Sequence, residues 1–103
     1  MKKVINRKMY NTETAELIAD WDNGCYGNDF RRCSEGLYLT KKGQYFVAGS
    51  GGPMSCYAES HGNSTSGGEA IRLLTRNEAV SWCEQHDCTD ALEGHFADMV
   101  EEG

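Results

Sequence analysis

Lysine and arginine are missing from the last 27 residues, Asn77 to Gly103, although that stretch carries eight carboxylates: Glu78, Glu84, Asp87, Asp90, Glu93, Asp98, Glu101 and Glu102. Residues 1–76 hold all ten basic residues against the other eight acids, so the net charge of −6 divides into +2 over the first three quarters and −8 over the last. A surface of that kind repels nucleic acid and attracts basic partners. Long hydrophobic runs are also lacking. No segment approaches the roughly 20 apolar residues that a membrane-spanning helix needs, and the basic start Met1-Lys-Lys-Val-Ile-Asn-Arg-Lys8 has no apolar stretch of signal-peptide type. A soluble, cytoplasmic chain with no membrane partner is the expectation. Proline occurs once, at Pro53, while seven of the twelve glycines gather between Gly43 and Gly68 and mark a loop-rich middle.

Five cysteines (Cys25, Cys33, Cys56, Cys83, Cys88) are an odd number and do not form a disulfide framework on this reading. They read as reduced thiols, filling space as small half-buried hydrophobes. With 103 residues, 39% of them hydrophobic, the chain is long enough for one domain with a modest core. That domain divides by charge into a basic-to-neutral part, 1–76, and an acidic helical part, 77–103.

Val4-Ile5 and Lys8-Met9-Tyr10 flank Asn6-Arg7, which predicts a two-residue hairpin or a single kinked strand. Asn11 or Thr12 then predicts a helix cap, with a helix over Glu13–Asp22 whose Leu17, Ile18 and Trp21 fall at helical spacing and which Asn23-Gly24 stops. A turn over Tyr26–Phe30 and an extended stretch to Cys33 follow. Gly36–Thr40 and Gln44–Ala48, joined by Lys41-Lys42-Gly43, form the clearest hairpin. Pro53 suits the first position of a short helix to Ser60, His61–Gly68 reads as a polar loop and Ala70–Leu74 as a strand. Thr75-Arg-Asn-Glu78 is a capping box opening a helix that carries Ala79, Val80, Trp82 and Cys83. Thr89 then caps a last helix bearing an apolar stripe of Leu92, Phe96, Met99 and Val100. This order predicts an α+β fold: a small antiparallel sheet with two to four helices packed on one face.

Four groups of residues carry candidate chemistry. On the last helix, Asp90, Glu93, Asp98 and Glu101 fall largely opposite the apolar stripe, with side-chain roots about 5–6 Å apart. That is close to the spacing of phosphates along a strand. With Glu84, Asp87 and Glu102 they form the candidate partner-binding set; a solvated face that only confers solubility is the bland alternative. The glycine loop Gly49-Ser50-Gly51-Gly52-Pro53-Met54-Ser55 sits between a strand and a predicted helix, where backbone amides cradle anions. It lacks the Gly-Lys-Ser/Thr of a phosphate loop and the spacing of a dinucleotide fingerprint, so a structural turn stands beside ligand binding through Gly49, Gly51, Gly52 and Ser55. Cys83, His86 and Cys88 have metal-ligand spacing, with His95 a possible fourth, but the second cluster of a zinc site is missing, and no metal or cofactor is expected. Cys56 with His61 lacks the orienting group a catalytic dyad needs. The basic pairs Lys2-Lys3, Arg7-Lys8, Arg31-Arg32 and Lys41-Lys42 are scattered; at a hairpin tip, Lys41-Lys42 reads as protection of a sheet edge. No motif names a reaction, and a non-enzymatic protein is expected.

Several longer stretches go further. Tyr10-Asn-Thr-Glu-Thr-Ala-Glu-Leu-Ile-Ala-Asp-Trp-Asp-Asn-Gly24, Leu37-Tyr-Leu-Thr-Lys-Lys-Gly-Gln-Tyr-Phe46, Gly51-Gly-Pro-Met-Ser55 with Tyr57-Ala58, and Leu74-Thr75 with Glu78-Ala79 and Trp82 resemble a group of small proteins carried by phages and conjugative elements of Gram-positive gut bacteria. The resemblance covers most of residues 3–86. It transfers no catalytic residue. It implies an antagonist of host defence, of which anti-CRISPR proteins are the best-known kind, acting on a host nucleic-acid-processing protein such as a Cas nuclease without contacting nucleic acid directly. Occupying the effector's basic groove through carboxylates is the mechanism this implies. A small module that binds or sequesters a nucleotide through the Gly49–Ser55 loop is the alternative.

Overall fold

The computed structural model describes residues 1–24, 30–53, 55, 57–62 and 64–100. The expected turn at Tyr26, and the residues Cys25, Cys56, Glu101 and Glu102, lie outside them. The protein is α+β. Strands β1 (Lys2–Ile5) and β2 (Lys8–Asn11) form one antiparallel hairpin. Strands β3 (Glu16–Asp22), β4 (Cys33–Leu39), β5 (Tyr45–Gly51) and β8 (Gly68–Leu74) form a four-stranded antiparallel sheet in the order β3-β4-β5-β8. Between β5 and β8 the chain makes a small hairpin of β6 (Glu59–His61) and β7 (Ser64–Ser66). Helices α1 (Arg76–Gln85) and α2 (Thr89–His95) follow, and a single 3-10 turn spans Ala97–Met99.

The alternation of side chains across the sheet divides the core in two. Leu37, Val47 and Leu74 join Ala79, Val80, Trp82 and Cys83 of α1 and Ala91 and Phe96 from the α2 region in one buried cluster. Neighbouring positions Phe46, Ala48 and Ile71 point the other way and meet Tyr10 of the first hairpin. Tyr38 stacks on Phe46 at 5.3 Å, and Tyr10 meets the same ring edge-on at 5.7 Å. Phe46 and Phe96 are fully buried, each contributing about 1.5–3 kcal/mol relative to exposure.

The β1–β2 hairpin turns at Asn6-Arg7, both in the left-handed region (φ 52° and 66°), as the tight hairpin turn requires. The β4–β5 hairpin turns at Thr40–Gln44, where Gly43 takes φ 89° and the Thr40 hydroxyl accepts the Gln44 amide. Thr75 and Glu78 make both bonds of the capping box at the start of α1.

Three elements differ from expectation. The helix over Glu13–Asp22 is instead a turn followed by β3. Asn11 does accept the Glu13 amide through its side chain and the Thr14 and Ala15 amides through its carbonyl, but the turn stops after one cycle. The apolar spacing has another cause. A bulge between Leu17 and Ala19 inserts Ile18, so two consecutive residues meet the same core and the two-residue period breaks. Ile18, Ala19 and Trp21 all pack on the helix-bearing cluster. Among the described residues of 53–60 no helix forms: Pro53 and Tyr57 lie in turns and Ser55 in a bend before β6, and β7 lies within the segment expected to be a loop. The last helix does not run to Val100. Cys88 rather than Thr89 stands at its cap, without a side-chain bond, and α2 ends at His95, with Phe96 leading into the 3-10 turn.

Candidate functional site

The described carboxylates of the C-terminal quarter fall into two kinds. Two are held by partners. Glu78 accepts the Thr75 amide, a bond that lowers its pKa below the usual range. Asp98 forms a two-pronged pair with Arg76 at 2.6 and 3.0 Å, and the guanidinium holds the carboxyl below its ordinary value. Arg76 also lies 5.8 Å from the Phe96 ring, which ties the end of the chain to the start of α1. Asp98 is therefore partly neutralised, whereas the sequence groups it with the open acidic set.

Glu84, Asp87, Asp90 and Glu93 are the other kind. All four are exposed, and none makes an ion pair among the described residues. They follow the corner between the two helices: Glu84 near the end of α1, Asp87 in the connection, Asp90 in the first turn of α2 and Glu93 three residues on. Asp87 sits at φ 54°, a left-handed position that aspartate tolerates better than most residues. Its amide bonds to the Glu84 carbonyl, and the Cys88 amide bonds to the Cys83 carbonyl at 2.9 Å, closing the corner tightly.

One member of this surface comes from elsewhere in the chain. Asp20 of β3 lines the same shallow hollow as Asp87 and Asp90, together with Ile18, His86 and Cys88. Burial raises the Cys88 thiol pKa, and the carboxylates of Asp20 and Asp87 raise it further, an electrostatic mark of their proximity. Read as a helix, Glu13–Asp22 gives no reason to bring Asp20 to this corner. Read as an edge strand, its outward-facing Asp20 sits beside the start of α2.

A polar group in the protein interior anchors the corner. The Glu35 carboxylate of β4 accepts the Trp82 indole N–H at 3.0 Å and the Tyr57 hydroxyl, and lies 3.5 Å from His86 Nε2. The His86 ring is held between Trp21 (4.3 Å) and Trp82 (4.7 Å). Glu35 and His86 side chains are only 11% and 9% exposed. This network ties β3, β4 and α1 together immediately before Asp87. It was not legible as a site, since Glu35 and His86 are 51 positions apart.

The glycine segment is used by the fold itself. Gly49 pairs with Glu35 and Ala70 inside the sheet, and a side chain there would overlap the Tyr57 ring. A side chain on Gly51 would meet Ser55 and the Arg32 carbonyl. The Gly52 amide donates to the Arg32 carbonyl at 2.7 Å and the Ser55 amide to the Gly52 carbonyl, while the Ser55 hydroxyl bonds to Gly52 and accepts from Tyr57. Those amides point into the protein's own turns.

The thiols near the corner are held in their protonated form by their surroundings. Burial, followed by Cys88, pushes the Cys83 thiol up to about 11, so the thiolate that nucleophilic attack needs is disfavoured. Among the described residues no group of three His, Cys, Asp or Glu side chains is placed to hold a metal ion. No helix among them is long and apolar enough to cross a membrane. Compared with known protein families, curated proteins and solved structures, the chain matches none. Fold and surface thus define a small α+β domain with an uncompensated acidic corner.

Proposed function

We propose that this protein is a non-enzymatic inhibitor that docks its acidic corner into the basic groove of a host nucleic-acid-processing protein. A Cas nuclease is the target the sequence resemblance implies. Both helices cover one face of the four-stranded sheet in this reading, and their junction with β3 forms the docking edge. The observation that carries it is the grouping of Asp20, Asp87 and Asp90 around one hollow, flanked by exposed Glu84 and Glu93, with no ion pair to any of them among the described residues. Carboxylates gathered without cations repel one another, and a basic partner relieves that repulsion while a surface needed only for solubility has no reason to concentrate them. Such a partner binds quickly at low salt and weakens as salt screens the charges.

The Glu35–His86 network supports the same reading, because a rigid corner loses little conformational freedom on docking. Asp98 would contribute less because Arg76 already neutralises it. The test is inhibition and pull-down of a Cas effector by the D20N/D87N/D90N/E93Q variant, compared with the parent at low and high salt. The expected result is a folded variant that no longer binds or inhibits. Undiminished inhibition by that folded variant would overturn the proposal.

A further inference from the structure

The sheet's other side carries charge of the opposite sign. A hollow of about 530 Å³ lies between the β1–β2 turn and the β4–β5 turn, lined by Arg7, Lys8, Lys41 and Lys42 and by no carboxylate. In the sequence these are two separate basic pairs, Lys8 and Lys41 standing 33 positions apart. The fold brings them to one place because Tyr10 of β2 packs on Phe46 of β5, which lays one hairpin across the end of the other. All four cations are exposed, and none makes an ion pair among the described residues.

Edge protection accounts for Lys41-Lys42 alone. It does not account for a second pair facing the first across a hollow. Arg7 adds an independent sign. It occupies the second central position of a tight turn at φ 66°, where glycine is strongly preferred and other residues pay in strain. An arginine there costs turn stability, and it is one of the residues that line the hollow. The volume lies in the range of small-molecule sites, and Met9, 61% exposed, supplies an apolar wall.

We propose that this hollow binds a small, multiply charged phosphate anhydride, with Arg7 gripping a phosphate in two-pronged fashion and Lys8, Lys41 and Lys42 neutralising the rest. The shared chemistry is a chain of two or three phosphates, from either inorganic polyphosphate or a nucleoside polyphosphate. The site uses none of the acidic corner's residues, so it stands or falls separately from the proposed inhibition.

The test is calorimetric titration of the full chain with inorganic tripolyphosphate and, in parallel, ATP. Binding should be saturable and weaken with salt. The K41S/K42S variant should lose at least tenfold in affinity. Arg7→Gly should do the same while melting at an equal or higher temperature, since glycine suits the turn. K2S/K3S removes the same charge from β1 outside the hollow and should change affinity less than twofold. ATP binding more tightly than tripolyphosphate identifies a nucleoside polyphosphate; equal affinity identifies the inorganic chain. Absence of saturable binding by both, or equal losses in K2S/K3S and K41S/K42S, would overturn the proposal. So would tighter binding of a single-stranded oligonucleotide, which would make the hollow part of a nucleic-acid track.

Discussion

At Gly49, a missing side chain is what gives Glu35 a partner. The Tyr57 ring occupies the space a Cβ would take and delivers its hydroxyl to the Glu35 carboxylate. Gly49→Ala should therefore destabilise the protein by about 1–3 kcal/mol, the usual cost of forcing a methyl group into a filled site. Urea unfolding of G49A, Y57A and the double variant separates this from a general intolerance of alanine in the strand: the G49A penalty should largely vanish once the Tyr57 ring is gone. Full retention of the penalty in the double variant would mean that something other than Tyr57 fills the space. Cys83 makes a second prediction at this scale. Its thiol, fully buried and pushed up to about 11, has a folded pKa above its ordinary 9.0. The stabilisation linked to keeping it protonated is complete below 9.0 and is lost as pH rises toward 11. Iodoacetamide at about pH 8 should accordingly modify Cys83 at least tenfold more slowly in the native protein than in urea, as peptide mapping would read.

Among the elements, those specified by adjacent residues were legible and those specified by distant partners were not. The Asn6-Arg7 turn, the hairpin closed by Gly43 and the Thr75–Glu78 capping box each depend on a few neighbouring residues whose backbone demands are local. Thr75→Ala should cost about 1 kcal/mol, within the range measured for removing an N-cap side chain, and thermal unfolding of T75A against T75S would isolate the hydroxyl, since serine restores the bond. β3 obeyed a different logic. Asn11 supplied cap chemistry and the bulge at Ile18 imitated helical spacing, but pairing with the whole of β4 decided the outcome. The β6–β7 hairpin is made from Glu, Ser, His and Thr with little apolar patterning, so periodicity had nothing to register. The same division holds for the acidic corner. Glu84, Asp87, Asp90 and Glu93 group together in the sequence because they are close along the chain. Asp20 does not, because its place beside them follows from strand pairing, and the pairing of Asp98 with Arg76, 22 positions earlier, has no local signal either.

At the scale of the whole molecule, the net charge of −6 conceals a separation. The corner of α1, α2 and β3 gathers carboxylates, while the two hairpin turns gather Arg7, Lys8, Lys41 and Lys42 around a hollow whose adjoining core is the Tyr10–Phe46 cluster rather than the helix-bearing one. Neither group neutralises the other, so each carries self-repulsion that folding must overcome. On the proposed reading this places function and stability in opposition at the acidic corner, and the opposition can be measured without knowing the partner. Neutralising Asp20, Asp87, Asp90 and Glu93 together should raise the melting temperature in low salt, because like charges brought together by folding no longer repel. In about 1 M salt, where screening acts within roughly 3 Å, the variant and the parent should melt together. A variant that melts lower than the parent at low salt would show that these carboxylates are balanced by cations in the folded state. It would remove the electrostatic basis for a basic partner, whichever protein that partner is.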